Sequence, residues 1–395
     1  MKIVHINLAD QYNEGWSYQD NLLPRMHSRA GHDVTMITTC RKYDGAGKII
    51  SVPPQRIVLP DGVKLIRLKI EKQFPSKKLQ AVLVPYAVFD LLEQMKPDLI
   101  MIHGTTARYT DRDVLRYMKK VNPKCVLVTD NHTCEINADA HLHKGLKHRL
   151  AHSIMNVMRK QLYPYCSKLF AITPACCEYE IKYYGAPAEK VELLPLGYDP
   201  SVLPWENREE VRKAFRAQHN LQDDDIVIVH GGKIIRRRKT PETIEAVGKI
   251  QNPKVKLIVF GGTDEEMKPE VEAALKKYPD KVIYLGHLTP EEYHRAYYGA
   301  DLALFPGGQS VLWQQAIGCG LPLIVGNDKD LDYLNRGGNA VLFDDTSVDG
   351  IHKIVTEILG TDKFEKMRQA AMGPVREFFS YENIAKQVTD CVESE

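Results

Sequence analysis

The chain has 395 residues, 44% of them apolar and 26% charged, with a net charge of +2. That length and apolar content suit two globular domains with sizeable cores, and no apolar run is long enough to span a bilayer. MKIVHINLAD reads as a first strand too short for a signal peptide, and the eight cysteines show neither CxxC spacing nor a His/Cys cluster, which points to reduced thiols in a cytoplasm.

In chain order, the first half strings short apolar strands between helical stretches: KIVHINLA, DVTMITT, LIMIHG, CVLVTD and LFAIT. Uninterrupted apolar strands of this kind are buried on both faces, as in parallel sheets covered by helices. After the first strand, YNEGWSYQ offers Gly15 for a close backbone approach, and Trp16 and Tyr18 as rings that either line a pocket or pack inside. VLVTDNHTCE ends a strand at Asp130 and presents His132 on the next loop. A ligand contact and a buried, satisfied histidine are both open readings of His132.

From His141 to Cys177 there is no acidic residue, while Lys144, Lys147, Arg149, Arg159, Lys160 and Lys168 share the span with an apolar set from Leu146 to Leu162. A second basic stretch, Lys64 to Lys78, has Glu71 as its single acid. Residues 1–198 accordingly carry 28 Lys and Arg against 19 Asp and Glu, a balance of +9, while residues 199–395 carry 25 against 32, a balance of −7. A basic amphipathic helix suits an anionic membrane surface, at about 1 kcal/mol per basic residue near it. The plainer reading is core packing plus solvated charge.

The second half repeats the strand pattern with IVIVHGG, VKLIVFGG, KVIYLG, LALFPGG and PLIVG, and helix-like segments fall at Pro241 to Ile250, Glu265 to Lys277 and Pro290 to Tyr298. Each half is long enough for its own doubly wound sheet, with Leu193 to Asn207 as connector, so the expected ligand site is the cleft between two sheets at their carboxyl edges. GGKIIRRRKT places Lys233, Arg236, Arg237, Arg238 and Lys239 on the loop after a strand, where cations can neutralise a diphosphate without a metal; a solvated charged loop is the plain alternative. In FPGGQSVLWQQAIGCGLPLIV, Gly307 and Gly308 allow a close backbone approach, Ser310 suits an N-cap for a helix beginning near Val311, and Gly318 and Gly320 can end it. Amides at such a helix start attract anions. No metal site is expected, since the aspartates at 223–225 and at 328, 330 and 332 read as turn residues.

These segments, in this order, resemble the nucleotide-sugar-binding domain of the retaining family 4 glycosyltransferases, enzymes of the α/β GT-B fold with two Rossmann-like domains. The carrying motifs are GGKI…RKTPETIEAV, KLIVFGG, VIYLGHLTPEEYHRAYYGADLALFP, the glycine turn and QQAIGCGLPLIV, with SRAGHDVTMIT and LFAITPACCEYEIKYYGAPAEKVELLPLGYD in the first half. The resemblance implies an acceptor-side domain at 1–198, a nucleotide-sugar domain at 199–380 and a final helix at 381–395 that packs back on the first domain. It also implies Lys233 and Lys239 as the diphosphate clamp, and the Gly308, Gln309, Ser310 and Val311 backbone on phosphate. His287 and Leu288 would meet the base, and Gln315 the ribose. His132 would meet the donor sugar, Gly15 would lie near the reacting centre, and Asp130, Trp16 and Tyr18 would serve the acceptor side. The family's pair of glutamates falls at Gly307 and Gln315, so both carboxylates are missing. The implied activity is retaining transfer of a hexosyl or N-acetylhexosaminyl group, from UDP in preference to GDP, to a glycan or lipid-linked hydroxyl. The implied setting is polysaccharide or glycolipid synthesis at the inner membrane face, with no metal and no nucleic acid. A GT-B sugar-nucleotide epimerase and a non-catalytic nucleotide-sugar-binding subunit are the alternatives.

Overall fold

The computed structural model describes residues 1–44, 48–69, 86–104, 108–135, 138, 153, 156–157, 159–202, 204–328 and 330–393. The chain forms two compact units: Met1–Pro195 together with Tyr381–Glu395, and Leu196–Ser380.

Unit 1 is built on strands β1 (Lys2–Asn7), β2 (Asp33–Thr39), β3 (Arg41–Tyr43), β4 (Ile49–Ser51), β5 (Gln55–Val58), β6 (Lys64–Leu68), β7 (Leu99–His103), β8 (Val126–Asn131), β9 (Cys166–Ala171) and β10 (Val191–Leu193). Eight of them form one sheet in the order β10-β9-β8-β7-β1-β2-β6-β5, and β3 pairs with β4. The central strands are mainly apolar, and every residue of β7 and β8 is buried, the polar His103 and Asp130 included, as expected of a sheet covered on both faces. Only β5 breaks the parallel pattern of this sheet, running antiparallel to β6. One face packs against the helix Gln19–Arg29 and the helix Tyr381–Glu393, through Leu22, Leu23, Ile384 and Val388.

Three of the strands missing from the apolar pattern show why they lack it. β4 is exposed along its length, β5 nearly so, and β6 carries a fully buried arginine, Arg67, in its middle. Arg67 donates to Glu14 Oε1 at 2.6 Å, to the Thr39 carbonyl at 2.7 Å and to the Tyr12 carbonyl at 2.8 Å. It therefore pins the loop after β1, and the ion pair answers the desolvation of its charge.

Unit 2 contains β11 (Ile226–Gly231), β12 (Val255–Phe260), β13 (Val282–Tyr284), β14 (Leu302–Phe305), β15 (Leu323–Gly326) and β16 (Ala340–Phe343), all parallel in the order β13-β12-β11-β14-β15-β16. Thr289 starts the helix Pro290–Gly299 with a reciprocal capping box to Glu292. In each unit the strand order reverses once, between β1 and β7 and between β11 and β14. Such switch points leave a crevice at the carboxyl ends of the strands, where open α/β sheets bind ligands.

Candidate functional site

In unit 2 the switch point brings together the loops after β11 and β14. Gly232 after β11 and Gly261 after β12 both take positive φ, and a Cβ on Gly261 would lie 1.9 Å from the Gly232 carbonyl oxygen, so the loops after β11 and β12 also touch backbone to backbone. Beside them is a pocket of about 540 Å³, walled by Phe260 and Leu312 and bordered by Lys233, Asp264, His287 and Leu288. Phe260 and Tyr293 stack at 6.0 Å, giving the pocket a rigid aromatic side. Lys233, His287 and Leu288, which lie far apart in sequence, thus share one pocket.

Both expected clamp lysines already have a carboxylate. Lys233 Nζ lies 2.9 Å from Asp264, and Lys239 Nζ lies 3.4 Å from Glu242. Both side chains remain substantially exposed, so an anionic ligand can take over these pairings at small cost. Lys239 itself sits at φ 60, immediately before the helix Thr240–Gly248. Of the arginines, Arg236 forms a two-pronged surface pair with Glu270, and Arg238 donates to the Gly308 carbonyl at 2.7 Å.

The glycine turn differs from expectation in three respects. The helix is Leu312–Gly318, one residue later and seven residues long, and the Ser310 hydroxyl accepts from the Leu312 amide at 3.3 Å. Ser310 and the Val311 backbone therefore begin a short helix, too short to act as a strong dipole. A Cβ on Gly307 would lie 2.1 Å from the Arg237 carbonyl oxygen and 3.1 Å from Lys239 Cγ. The position of the missing glutamate is thus filled by the basic loop, and no side chain fits there. Finally, Gln315 is buried: its Oε1 meets His294 Nε2 at 2.9 Å and its Nε2 donates to the Gly197 carbonyl at 3.0 Å. Both ends of the amide are engaged inside the unit, which corrects its expected role on ribose. Gln309 Nε2, in contrast, is buried with no partner among the described residues.

In unit 1, Gly15 at φ 79 is exposed, with open space around a would-be Cβ. Trp16 stacks on Tyr43 at 5.7 Å and meets Tyr18 edge-on at 5.0 Å, and Tyr18 is exposed. His132 is exposed, with Nε2 3.6 Å from Asp130 Oδ2. Desolvation disfavours its charged form, but the Asp130, Asp20 and Asp10 carboxylates outweigh this and raise its pKa. Asp130 is fully buried; its Oδ2 accepts from His103 at 2.7 Å and its Oδ1 from the Gly104 amide at 2.8 Å. Burial works against its ionised form, yet His103 and His132 hold the carboxyl well below the usual range. Asp130 cannot touch an acceptor directly, a correction to its expected role; it acts on His132. The sequence reading passed over His103, whose signal was a polar residue ending an apolar strand.

Arg159 also departs from expectation. It is buried, its guanidinium lies 3.7 Å from the Tyr184 ring centroid and it donates to Asn156, so it belongs to no membrane-facing surface. Lys160 is exposed, and Lys144, Lys147 and Arg149 lie outside the described residues. In the second basic stretch, Lys64 pairs with Asp33 at 2.7 Å. No helix among the described residues is long and apolar enough to cross a membrane, and no three His, Cys, Asp or Glu side chains there are grouped to hold a metal ion. The eight cysteines form no disulfide.

Comparison with known proteins agrees with the fold. An uncharacterized glycosyltransferase of Methanocaldococcus jannaschii is 23% identical over 229 residues, which span 56% of this chain and 59% of that protein, so less than two thirds of its length is matched. Among solved structures, Anabaena HepE in complex with UDP superposes with a TM-score of 0.66 at 16% identity, covering all of both chains. Sucrose-phosphate synthase from Thermosynechococcus elongatus reaches 0.65 at 18% identity, over 100% of this chain and 98% of that one. A Listeria monocytogenes protein assigned as a UDP-N-acetylglucosamine 2-epimerase reaches 0.60 at 14% identity, over 100% and 96%. The sequence model of glycosyltransferase family 4 matches residues 18–202 and that of glycosyl transferases group 1 matches residues 211–372. The chain belongs to the family 4 type of GT-B glycosyltransferases.

Proposed function

We propose that the chain transfers a sugar from a nucleoside-diphosphate sugar, UDP in preference to GDP, to a hydroxyl of a glycan or lipid-linked acceptor, with retention at the anomeric carbon. The observation that carries this reading is the unit 2 pocket, in which Lys233 borders the same space as His287 and Leu288, beside backbone freed of side chains at Gly232 and Gly261. In this reading a base against His287 and Leu288 directs its diphosphate toward Lys233, with Lys239 as the second cation and Gln309 Nε2, buried without a partner among the described residues, as a further donor. The bond from C1 to the diphosphate oxygen breaks, the bond from C1 to the acceptor oxygen forms, and the hydroxyl proton passes to the departing diphosphate. Stabilisation of that leaving charge and placement of the acceptor account for the rate, without an enzyme nucleophile. We assign acceptor recognition to unit 1, with Trp16 and Tyr18 on the acceptor and His132 on the sugar.

A thermal-shift panel of UDP- and GDP-sugars, followed by turnover with and without acceptor, tests the proposal. A ligand at about 100 times its Kd adds about 2.7 kcal/mol of apparent stability. Turnover that needs no acceptor supports the epimerase reading, which the shared fold of the Listeria protein keeps in play. Binding without turnover supports a non-catalytic subunit. A chelator is expected to leave transfer intact, because the basic loop supplies the positive charge. The cytoplasmic membrane-surface role, in polysaccharide or glycolipid synthesis, rests on Lys144, Lys147, Arg149 and Lys160. Salt-sensitive binding to anionic but not neutral vesicles tests it.

A further inference from the structure

Beneath His132, unit 1 contains a row of buried histidines. His27 Nε2 lies 2.9 Å from the Ala385 carbonyl oxygen, and His27 Nδ1 lies 3.0 Å from His5 Nε2. His5 Nδ1 lies 3.0 Å from His103 Nε2, and His103 Nδ1 lies 2.7 Å from Asp130 Oδ2. The row starts on the helix Tyr381–Glu393, passes through the helix Gln19–Arg29 and crosses β1 and β7 to β8. His5 and His27 are at most 1% exposed and His103 is 7% exposed.

Counting protons decides the charge of this row. A carbonyl and an ionised carboxylate only accept, and a neutral imidazole carries one N–H. Four contacts joined end to end therefore need four protons, whereas three neutral imidazoles supply three. The count alone leaves the fourth proton on any of the three rings or on Asp130, and an adjacent carboxylate favours the cation at the His103–Asp130 end. The Gly104 amide on the other carboxylate oxygen, and His132 beside it, keep Asp130 ionised, so the proton belongs to His103. Burial pushes His5 and His27 down, the latter to about 4, consistent with their being the neutral members. The remaining titratable neighbours are Asp20, which accepts from Asn7 and feels both His103 and His132, Asp10 near His132, His32 near His27, and Glu180, which feels Asp130.

We propose that His103 is a positioning residue for His132: the row from Ala385 through His27 and His5 fixes a His103 imidazolium, which holds the Asp130 carboxylate and offsets its charge, and thereby sets how tightly His132 keeps its own proton. The proposal rests on the reading of His132 as the polar group that meets substrate. Cutting the row at His5 removes the acceptor for His103 Nε2, and with it the need for the fourth proton. Asp130 then faces His132 with no other cation beside it among the described residues, and His132 holds its proton more tightly.

Full-length protein labelled with nitrogen-15 histidine, followed by NMR without substrate from about pH 5 to about pH 9, reads this directly. Within the row, the unaltered chain is expected to show one imidazolium, His103, and two neutral rings, His5 and His27, assigned by their loss in the single variants. In His5→Leu the His132 midpoint is expected to rise by about one pH unit, and the pH optimum of transfer to rise with it, with kcat lowered and the donor KM unchanged. His5→Gln, whose amide can donate to His27 and accept from His103, is expected to restore both. A neutral ring at each of His5, His27 and His103 in the unaltered chain, an unmoved midpoint in His5→Leu, or equal shifts in the Leu and Gln variants overturn the proposal. Should His5→Leu fail to fold, His27→Leu against His27→Gln makes the same comparison, because the proton count falls in the same way. If the midpoint moves as stated but no sugar nucleotide is turned over, the row stands and the assignment of His132 to substrate falls.

Discussion

Around its pocket, unit 2 carries its charge at the surface: Lys233, Arg236 and Lys239 lie on one loop, each beside a carboxylate that water also reaches, while its buried pair, Arg216 with Asp301, belongs to the pairing of helix and sheet. Unit 1 buries its charge: Asp130 and His103 meet inside the sheet layer, and neither can be changed without its partner losing a counter-charge. The first arrangement is exchangeable, since exposed pairs are worth little and a phosphate can displace them. The second is permanent, because breaking a buried pair strands a charge. Ligand chemistry and fold stability are therefore nearly separate at the unit 2 loop and closely joined at the unit 1 row.

Asp130→Asn should show this joining most strongly. Asparagine cannot balance the His103 imidazolium, so unit 1 is expected to lose about 3–5 kcal/mol in denaturant unfolding, along with activity. A stable, active Asp130→Asn protein would remove the contrast between the units.

Acid is expected to act next. In unit 2, His230 is buried, donates from Nδ1 to the Leu304 carbonyl and meets Thr240 through Nε2, and desolvation lowers its pKa to about 4. Its folded value lies below its unfolded value, so its contribution is complete above about pH 6.5 and is lost as pH falls toward 4, by about 3 kcal/mol in all. His230→Gln, which can keep both hydrogen bonds, is expected to flatten this part of the urea-midpoint profile.

Lys239→Ala should weaken donor binding by about 1.5–3 kcal/mol in calorimetry while leaving the unfolding midpoint nearly unchanged. Lys233→Ala should behave alike. Unchanged nucleotide affinity in both variants would move the site elsewhere. Gly307→Ala is the smallest of these changes in size, and its Cβ meets the Arg237 carbonyl. It is expected to cost about 1–3 kcal/mol of unit 2 stability, the usual range for overpacking.

The same contrast governs how much could be read from the sequence. Both sheets were legible because their central strands are continuous apolar runs, and so was the basic loop, whose residues are neighbours in the chain. β4 and β5 escaped because exposed edge strands carry no apolar pattern, and β6 because Arg67 interrupts it. Gly307 was visible as a glycine, but not its reason, since the carbonyl that excludes a side chain comes from Arg237 on another loop. The amide of Gln315 was assigned outward because its partners, His294 and Gly197, are brought to it by folding. His5, His27 and His103 each looked like an isolated polar residue in an apolar element. Their meaning lies in contacts across 22 and 98 positions, which no local pattern encodes.

The helix Tyr381–Glu393 belongs to unit 1 although all of unit 2 precedes it in the chain. During synthesis at about 5–20 residues per second, unit 1 waits about 10–40 s for its last helix while Leu196–Ser380 is made. Through that interval the apolar face that Ile384 and Val388 later cover stays open, and His27 has no carbonyl to meet. The nascent first unit is then a client for chaperones, and unit 2 is free to fold before unit 1 is complete.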